Sequence, residues 1–451
     1  MEKSTHKSQY IATSGSSRSP WAWIPTLYIA EGLPYFAVNV LTVLMLTNLG
    51  VGLKQMAIVT GWLYLPWVIK PFWSPFVDLF RTKRWWTLTM QGVIAVSMAG
   101  VGFMLGLSSW LTLCLVCFWI MGFASATHDI AADGYYMLAL DSHRQAAYVG
   151  VRSTFYRVAS VIGQGGIVML AGWLEHRCAS VSAAWQIVFT SLSACFLLIL
   201  LWHTKAMPRA KDDAPIPGVN AGTIVRDFGN TFVTFFRKPG IVTAMAFMLL
   251  YRLPEALCVK LVIPFLKAPI SEGGLELSTE QVGLANGTVG VIALLAGGIA
   301  GGLAIARGGL RKWLWPMALS LTLPCIFYCG LAYWQPTDFK LICAAIGIEQ
   351  FGYGFGFTAF MLYLIYFSRG ESQTSHYAFC TAFMALGMML PGMAAGWIHE
   401  ILDDVNIYNF NGPQGYLNFF WFVMLCCIAT FAVSAKVKID PEFGKKVKTE
   451  N

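Results

Sequence analysis

Charge is what this sequence has least of. Asp, Glu, Lys and Arg make up 12% of its 451 residues, against about 25% in a soluble globular domain. So few charges cannot clothe a soluble surface, and with 57% of residues hydrophobic most side chains must face lipid or one another. A net charge of +8 would suggest nucleic acid in a soluble chain; here the placement of the charges matters more than their sum, and no nucleic-acid partner is expected. The eleven cysteines lie mostly within apolar runs, with only Cys178 in an expected outside loop, so no disulfide framework is implied. Cys114-Leu-Val-Cys117 has redox or zinc spacing but no second pair nearby, which favours two small core residues. Neither a nucleophile–base pair nor a metal-ligand cluster stands out, so no enzyme, metal or cofactor is expected. A cleavable leader is not expected either, because residues 1–20 are polar and the first apolar segment is long enough to span.

What is abundant is apolar length. Segments at about 21–46, 56–80, 85–106, 110–138, 146–174, 184–203, 239–266, 279–305, 313–333, 339–366, 377–399 and 416–435 each approach the roughly 20 residues a bilayer requires. With an inside N-terminus, 22 of the 31 Lys and Arg fall in cytoplasmic segments and four (Lys54, Arg177, Lys267 and Lys340) in outside loops. The positive-inside rule then puts both termini in the cytoplasm, as an even span count requires. The longest polar interior segment, 204–238, reads as a linker. The predicted organisation is a tail at 1–20, six helices over 21–203, the linker, six more over 239–435 and a tail at 436–451.

The stretch Gly122–Tyr136 sets Asp129 and Asp133 four residues apart, on one helical face. An acid in lipid costs roughly 2.5–3.5 kcal/mol on insertion scales, so these two face a polar cavity or find partners, unless the helix ends early at the cytoplasmic surface. Other ionisable groups fall inside spans: Glu31 beside Gly32 and Pro34, Lys70, Arg152 and Arg157 with Tyr156 and Gln164, Arg252 and Glu255, Lys260, and Glu349 beside Gln350. Either aspartate could pair with Arg152 or Arg157 as a structural ion pair between spans four and five. The functional alternative is a carboxylate that exchanges a proton while arginines receive an anionic or hydroxyl-rich solute. Arg252 and Glu255, three apart, read as a local pair. His128 reads as a hydrogen-bonded neighbour rather than a metal ligand. Tyr64, Trp67, Trp73, Tyr135, Tyr136, Tyr353, Tyr363 and Tyr366 are candidate cavity aromatics, although interface or packing roles are common for such residues.

The two halves repeat weakly. Leu33-Pro34 answers Leu253-Pro254, and Arg81-Thr-Lys-Arg84-Trp85 answers Arg307-Gly-Gly-Leu-Arg311-Lys312-Trp313. Such symmetry resembles the major facilitator pattern, an all-α membrane fold of twelve transmembrane helices in two pseudo-symmetric six-helix bundles. Asp78 with Arg81 and Arg84 resembles the inner-gate loop of that fold, although Ser74-Pro75 stands where the family has a glycine. Gly297-Gly298-Ile-Ala-Gly301-Gly302 predicts close helix approach.

Three stretches narrow the resemblance: Glu31-Gly-Leu-Pro34 with Trp67-Val-Ile-Lys-Pro-Phe-Trp-Ser-Pro-Phe-Val-Asp78; Ala124-Ser-Ala-Thr-His-Asp129-Ile-Ala-Ala-Asp133; and Glu349-Gln-Phe-Gly-Tyr-Gly-Phe-Gly-Phe-Thr-Ala-Phe360 followed by Ala378-Phe. Together they resemble the AmpG-like muropeptide permeases, which are also similar to acetyl-coenzyme A transporters. The resemblance implies a bacterial inner-membrane proton symporter that imports anhydromuropeptides, with Asp129 as the acid transport requires. His128 stands where a glutamine is common, and Gly134-Tyr135 where Ala-Trp is usual, so a related amino-sugar oligosaccharide stays open as the solute. Expected proton-coupling residues are Asp129, Asp133, Glu349 and Glu31. Expected solute-binding residues are Arg152, Tyr156, Arg157, Gln164, Arg252, Glu255 and Lys70, in a monomer whose partners are the solute, protons and the bilayer. The alternatives are another solute (a different glycan, an acetyl-coenzyme A-like anion or an exported drug) or a transport-inactive receptor of the same fold.

Overall fold

The structure is a computed structural model that describes residues 19–140, 142–209, 213, 221–370, 373–405 and 414–443. Every regular element among them is helical. Ten helices are long and apolar enough to cross a membrane: Pro20–Asn48, Lys83–Met104, Trp110–Ala139, Thr154–Glu175, Val181–Ala206, Thr279–Gly308, Leu310–Trp334, Phe339–Ser368, Ser375–Asp403 and Gly415–Lys436. In chain order these are spans one, three to six and eight to twelve. Span two is a pair of shorter helices, Leu53–Trp62 and Leu65–Leu79, and span seven is another, Ile241–Leu250 and Leu253–Lys267. Both breaks have the same cause. Pro66 and Pro254 lack an N–H and would clash with the carbonyl one turn back, so the chain restarts its helix just before each.

Three other spans widen instead of breaking. Span one passes through a π turn at Ala37–Leu41, three residues after Pro34. Span five does so at Ile162–Gly166 and span eight at Gly283–Gly290. Isolated π turns of this kind are frequent at functional sites. The last two face each other across the halves, where a Cβ at Gly165 would stand 2.6 Å from Thr288 Oγ1 and 3.1 Å from the Gly287 carbonyl.

The glycines of span ten are packing devices. A Cβ at Gly354 would collide with the Leu294 carbonyl of span eight; one at Gly352 or Gly356 would collide with the Ser320 or Met317 carbonyl of span nine. Two-residue spacing on a helix thus turns alternate glycines toward different neighbours. On span eight the expected close approach holds for Gly297 and Gly301, which meet span ten, while a Cβ at Gly302 would meet open space. Toward the membrane, Val96, Phe103, Leu198 and Val242 are 67% to 79% exposed, as side chains solvated by lipid should be.

Span two packs on span eleven, and span five on span eight, at the end carrying the loops after spans one, five and seven. A Cβ at Gly396 would lie 2.6 Å from the Leu53 carbonyl, and one at Gly172 would lie 2.5 Å from the Glu280 amide nitrogen. Toward the other end the expected linker is described in part. It contains the helix Ala221–Phe236, whose buried Phe235 sits 5.4 Å from Phe379 and 6.2 Å from Phe383 of span eleven, ring to ring.

Candidate functional site

Span four runs unbroken to Ala139, six residues beyond Asp133, which removes the early helix end as an account of either aspartate. The two acids take different partners. Asp129 is held by Lys70 of span two. Asp133 is 2.8 Å from Arg152 of span five and accepts a hydrogen bond from Tyr28 Oη at 3.1 Å. Arg152 also lies over the Tyr28 ring at 4.7 Å and the Tyr136 ring at 5.7 Å. Of the pairings open on sequence, Asp133 with Arg152 forms. Arg157 pairs with neither aspartate.

Glu31 completes the cluster. Gly32 lets span one lie against span five, since a Cβ there would stand 2.8 Å from Ala159 Cβ. Carboxylate oxygens of Glu31, Asp129 and Asp133 consequently lie within 4.8 Å of one another. Glu31 is buried, and its Oε2 has no hydrogen-bond partner. Behind the cluster His128 is fully buried in a polar chain: its Nε2 meets Gln91 at 3.0 Å, Gln91 meets His203 at 2.9 Å, and Thr26 Oγ1 meets His203 Nε2 at 2.8 Å. This supports the reading of His128 as a hydrogen-bonded neighbour.

Beside the cluster, a cavity of about 640 Å³ lies between the halves, well within the size range of small-molecule sites. Tyr156, Arg157 and Gln164 line it from span five, and Tyr35 and Tyr64 join their hydroxyls at 2.9 Å on its wall. From the other half come Arg252, Glu255, Lys260, Glu349 and Tyr353. The break in span seven positions the first two. Arg252 precedes the new helix and folds back on Glu255 in its first turn, at 2.8 and 3.1 Å, where an acid also complements the helix dipole. Arg252 reaches Tyr353 Oη at 2.7 Å and lies 4.6 Å over the Phe357 ring. Glu349 accepts from Tyr328 Oη and Gln350 Nε2, each at 2.9 Å. The expected site residues therefore fall into two groups: a charged cluster of Glu31, Lys70, Asp129, Asp133 and Arg152, and the cavity lining. Of the aromatics, Tyr64 and Tyr353 line the cavity, whereas Tyr135 is buried and donates to the Pro208 carbonyl at 2.6 Å.

The expected inner-gate residues are resolved unevenly. The Asp78 side chain lies outside the described residues. Arg81 is exposed and rests 5.8 Å over the Trp85 ring. Arg84 donates to the Met207 carbonyl at 3.0 Å and the Thr204 carbonyl at 2.6 Å, capping the end of span six.

At the opposite end the structure shows a polar junction that the sequence reading missed. Glu175, closing span five, accepts from Thr279 Oγ1 and Asn48 Nδ2, each at 2.6 Å, and from Trp185 Nε1 at 3.0 Å. Lys267 and Asn48 each donate to Thr279 at 3.0 Å. The junction ties spans one and five to spans seven and eight, with an exposed Lys54–Glu400 pair at 2.9 Å nearby. The capping box of Ser278 and Gln281 was the available signal, because it places Thr279 at the head of span eight.

Comparison with known proteins agrees with this architecture. The chain is 25% identical over 417 residues to the anhydromuropeptide permease of Escherichia coli strain K12, covering 90% of this chain and 79% of that protein. Its structure superposes on the nucleoside transporter NupG with TM-score 0.68 and 13% identity, covering 92% of this chain and 99% of that one. A D-xylose–proton symporter matches with TM-score 0.68 and 14% identity over 94% and 98% of the two chains. These likenesses establish the major facilitator fold and a transporter rather than an enzyme. The model of the BT1 family matches residues 29–299, more than half the chain, and the protein belongs to that family.

Proposed function

We propose that this protein is a proton symporter of the inner membrane that imports cell-wall-derived muropeptides or a related amino-sugar oligosaccharide. In this reading it works as a monomer, with both termini cytoplasmic and 204–238 linking two rocking halves. The observation that carries coupling is a charge imbalance. Glu31, Asp129 and Asp133 face only Lys70 and Arg152, one negative charge in excess within a low-dielectric bundle. An uncompensated buried charge costs several kcal/mol, and a proton from the medium removes it. On sequence Asp129 is the better proton carrier; its contact with Lys70 turns that role toward Glu31, whose Oε2 lacks a partner.

The junction around Glu175 lies at the end that the positive-inside rule puts outside, so the conformation seen is closed to the periplasm. The cavity is then the solute site, with tyrosines and amides for sugar hydroxyls and N-acetyl groups. Inside-positive lysine and arginine, the carboxylate imbalance and the permease relative support this reading together. The test is uptake of radiolabelled anhydromuropeptide, and of simple amino-sugar disaccharides, by cells with and without a protonophore. Accumulation that the protonophore collapses is the expected result. Uptake of none of these solutes, or accumulation indifferent to the protonophore, would overturn it and favour a receptor or a different coupling.

A further inference from the structure

Lys260 was no part of the expected site, and nothing in the coupling scheme uses it. It lies on span seven, eight residues past the break, and is 5% exposed. Among the described residues its Nζ has one hydrogen-bond partner, Thr60 Oγ1 of span two, at 3.3 Å. Thr60 itself donates to the Met56 carbonyl at 2.8 Å, so its oxygen offers the ammonium a neutral acceptor and no counter-charge. The stem of Lys260 lies along Gly392 of span eleven, where a Cβ would stand 3.1 Å from Lys260 Cγ; the small residue makes room for the side chain.

Charges around the cavity show what the ammonium lacks. Its lining contains three cations, Arg157, Arg252 and Lys260, and two carboxylates, Glu255 and Glu349. Arg252 and Glu255 neutralise each other at 2.8 Å, and Glu349 is engaged by the neutral donors Tyr328 and Gln350. Arg157 and Lys260 are left without an ion-pair partner among the described residues. The cavity is therefore electropositive, the reverse of the neighbouring carboxylate cluster. A buried ammonium with one neutral hydrogen bond is incompletely solvated, and an anion entering the cavity would complete it.

We propose that Lys260 is a specificity-determining anchor for an anionic group of the transported solute, a carboxylate or a phosphate, at the closed end of the cavity. The proposal rests on the cavity being the solute site. Because Lys260 also touches Thr60 across the halves, capture of the anion would draw the ammonium from Thr60 and loosen that contact.

The test uses purified full-length protein and reads thermal stabilisation by three probes: an anhydromuramyl tripeptide, the same compound with its carboxyls amidated, and coenzyme A as a phosphate source. Wild type should bind the acidic tripeptide roughly tenfold more tightly than its amide, the worth of one charge-assisted hydrogen bond. Lys260→Met should erase that difference while leaving amide binding unchanged, Lys260→Arg should retain it, and Thr60→Val should preserve it. Equal binding of acid and amide by wild type, equal loss of both in Lys260→Met, or no stabilisation by any probe would each overturn the anchor. If coenzyme A alone is bound, and through Lys260, the anchor stands and the muropeptide reading falls. Uptake of the tripeptide by cells reports on that reading separately.

Discussion

Glu31 concentrates the chemistry of the charged cluster, because two cations cannot neutralise three carboxylates within 4.8 Å. Glu31→Gln removes the excess charge without changing shape. Each proton moved down a one-unit pH gradient sustains about a tenfold solute ratio. The variant should bring that ratio to about one in vesicles while keeping solute exchange across a membrane without a gradient; gradient-driven accumulation at the wild-type level would refute Glu31 as the carrier. Arg252 tests the opposite case of a balanced pair. Arg252→Ala leaves Glu255 buried and unpaired, a loss of about 3–5 kcal/mol for a broken buried ion pair. The Arg252→Met, Glu255→Gln double variant should recover much of the melting temperature in detergent. A double variant no more stable than the single one would contradict the pairing. These residues were legible as a list, since any ionisable group in an apolar run is conspicuous. Their grouping was not. That Asp129 meets Lys70 while Arg157 turns to the cavity depends on helix rotation, which spacing within one helix does not specify.

Among elements, the broken and widened spans matter most. Spans two and seven break before Pro66 and Pro254, and the second break creates a half-helix start that aims Arg252 and Glu255 at the cavity. The glycines of span ten bind the second bundle by backbone contact. Gly354→Leu would force a side chain into the Leu294 carbonyl; overpacking of this kind costs about 1–3 kcal/mol, read as a lowered melting temperature and reduced membrane yield. Gly302→Ala, in open space on span eight, should be neutral by the same measures. The Glu175 junction is an element-end device of a different sort. Glu175→Leu with Thr279→Val should open the cavity more often to the outside. Faster labelling of Asn39→Cys by an impermeant thiol reagent in whole cells is the readout, in a background lacking the eleven native cysteines. Unchanged labelling together with unchanged uptake would remove the junction from gating.

On the scale of the whole molecule, transport requires the two halves to separate where they now meet. Gly172 and Glu280 face each other closely enough there for a double cysteine variant to satisfy disulfide geometry. Oxidation should then abolish uptake and a reductant restore it. Full uptake by the cross-linked protein would exclude rocking about this contact.

The sequence by itself determined the membrane class, the number of spans, the expected orientation, the weak two-fold repeat and the identity of the buried charges. Each of these follows from properties read along one chain segment: apolar length, lysine and arginine placement, and ionisable residues in lipid. The tertiary structure alone decided the pairing of Lys70 with Asp129, the partnerless oxygen of Glu31, the junction of Asn48, Glu175, Lys267 and Thr279, and the exposure of Lys260 to an electropositive cavity. Those facts join residues from 59 to 231 positions apart, and side-chain periodicity carries no information across such distances. What brings them together is the packing of helix on helix, set by glycine contacts and proline breaks whose partners lie elsewhere in the chain.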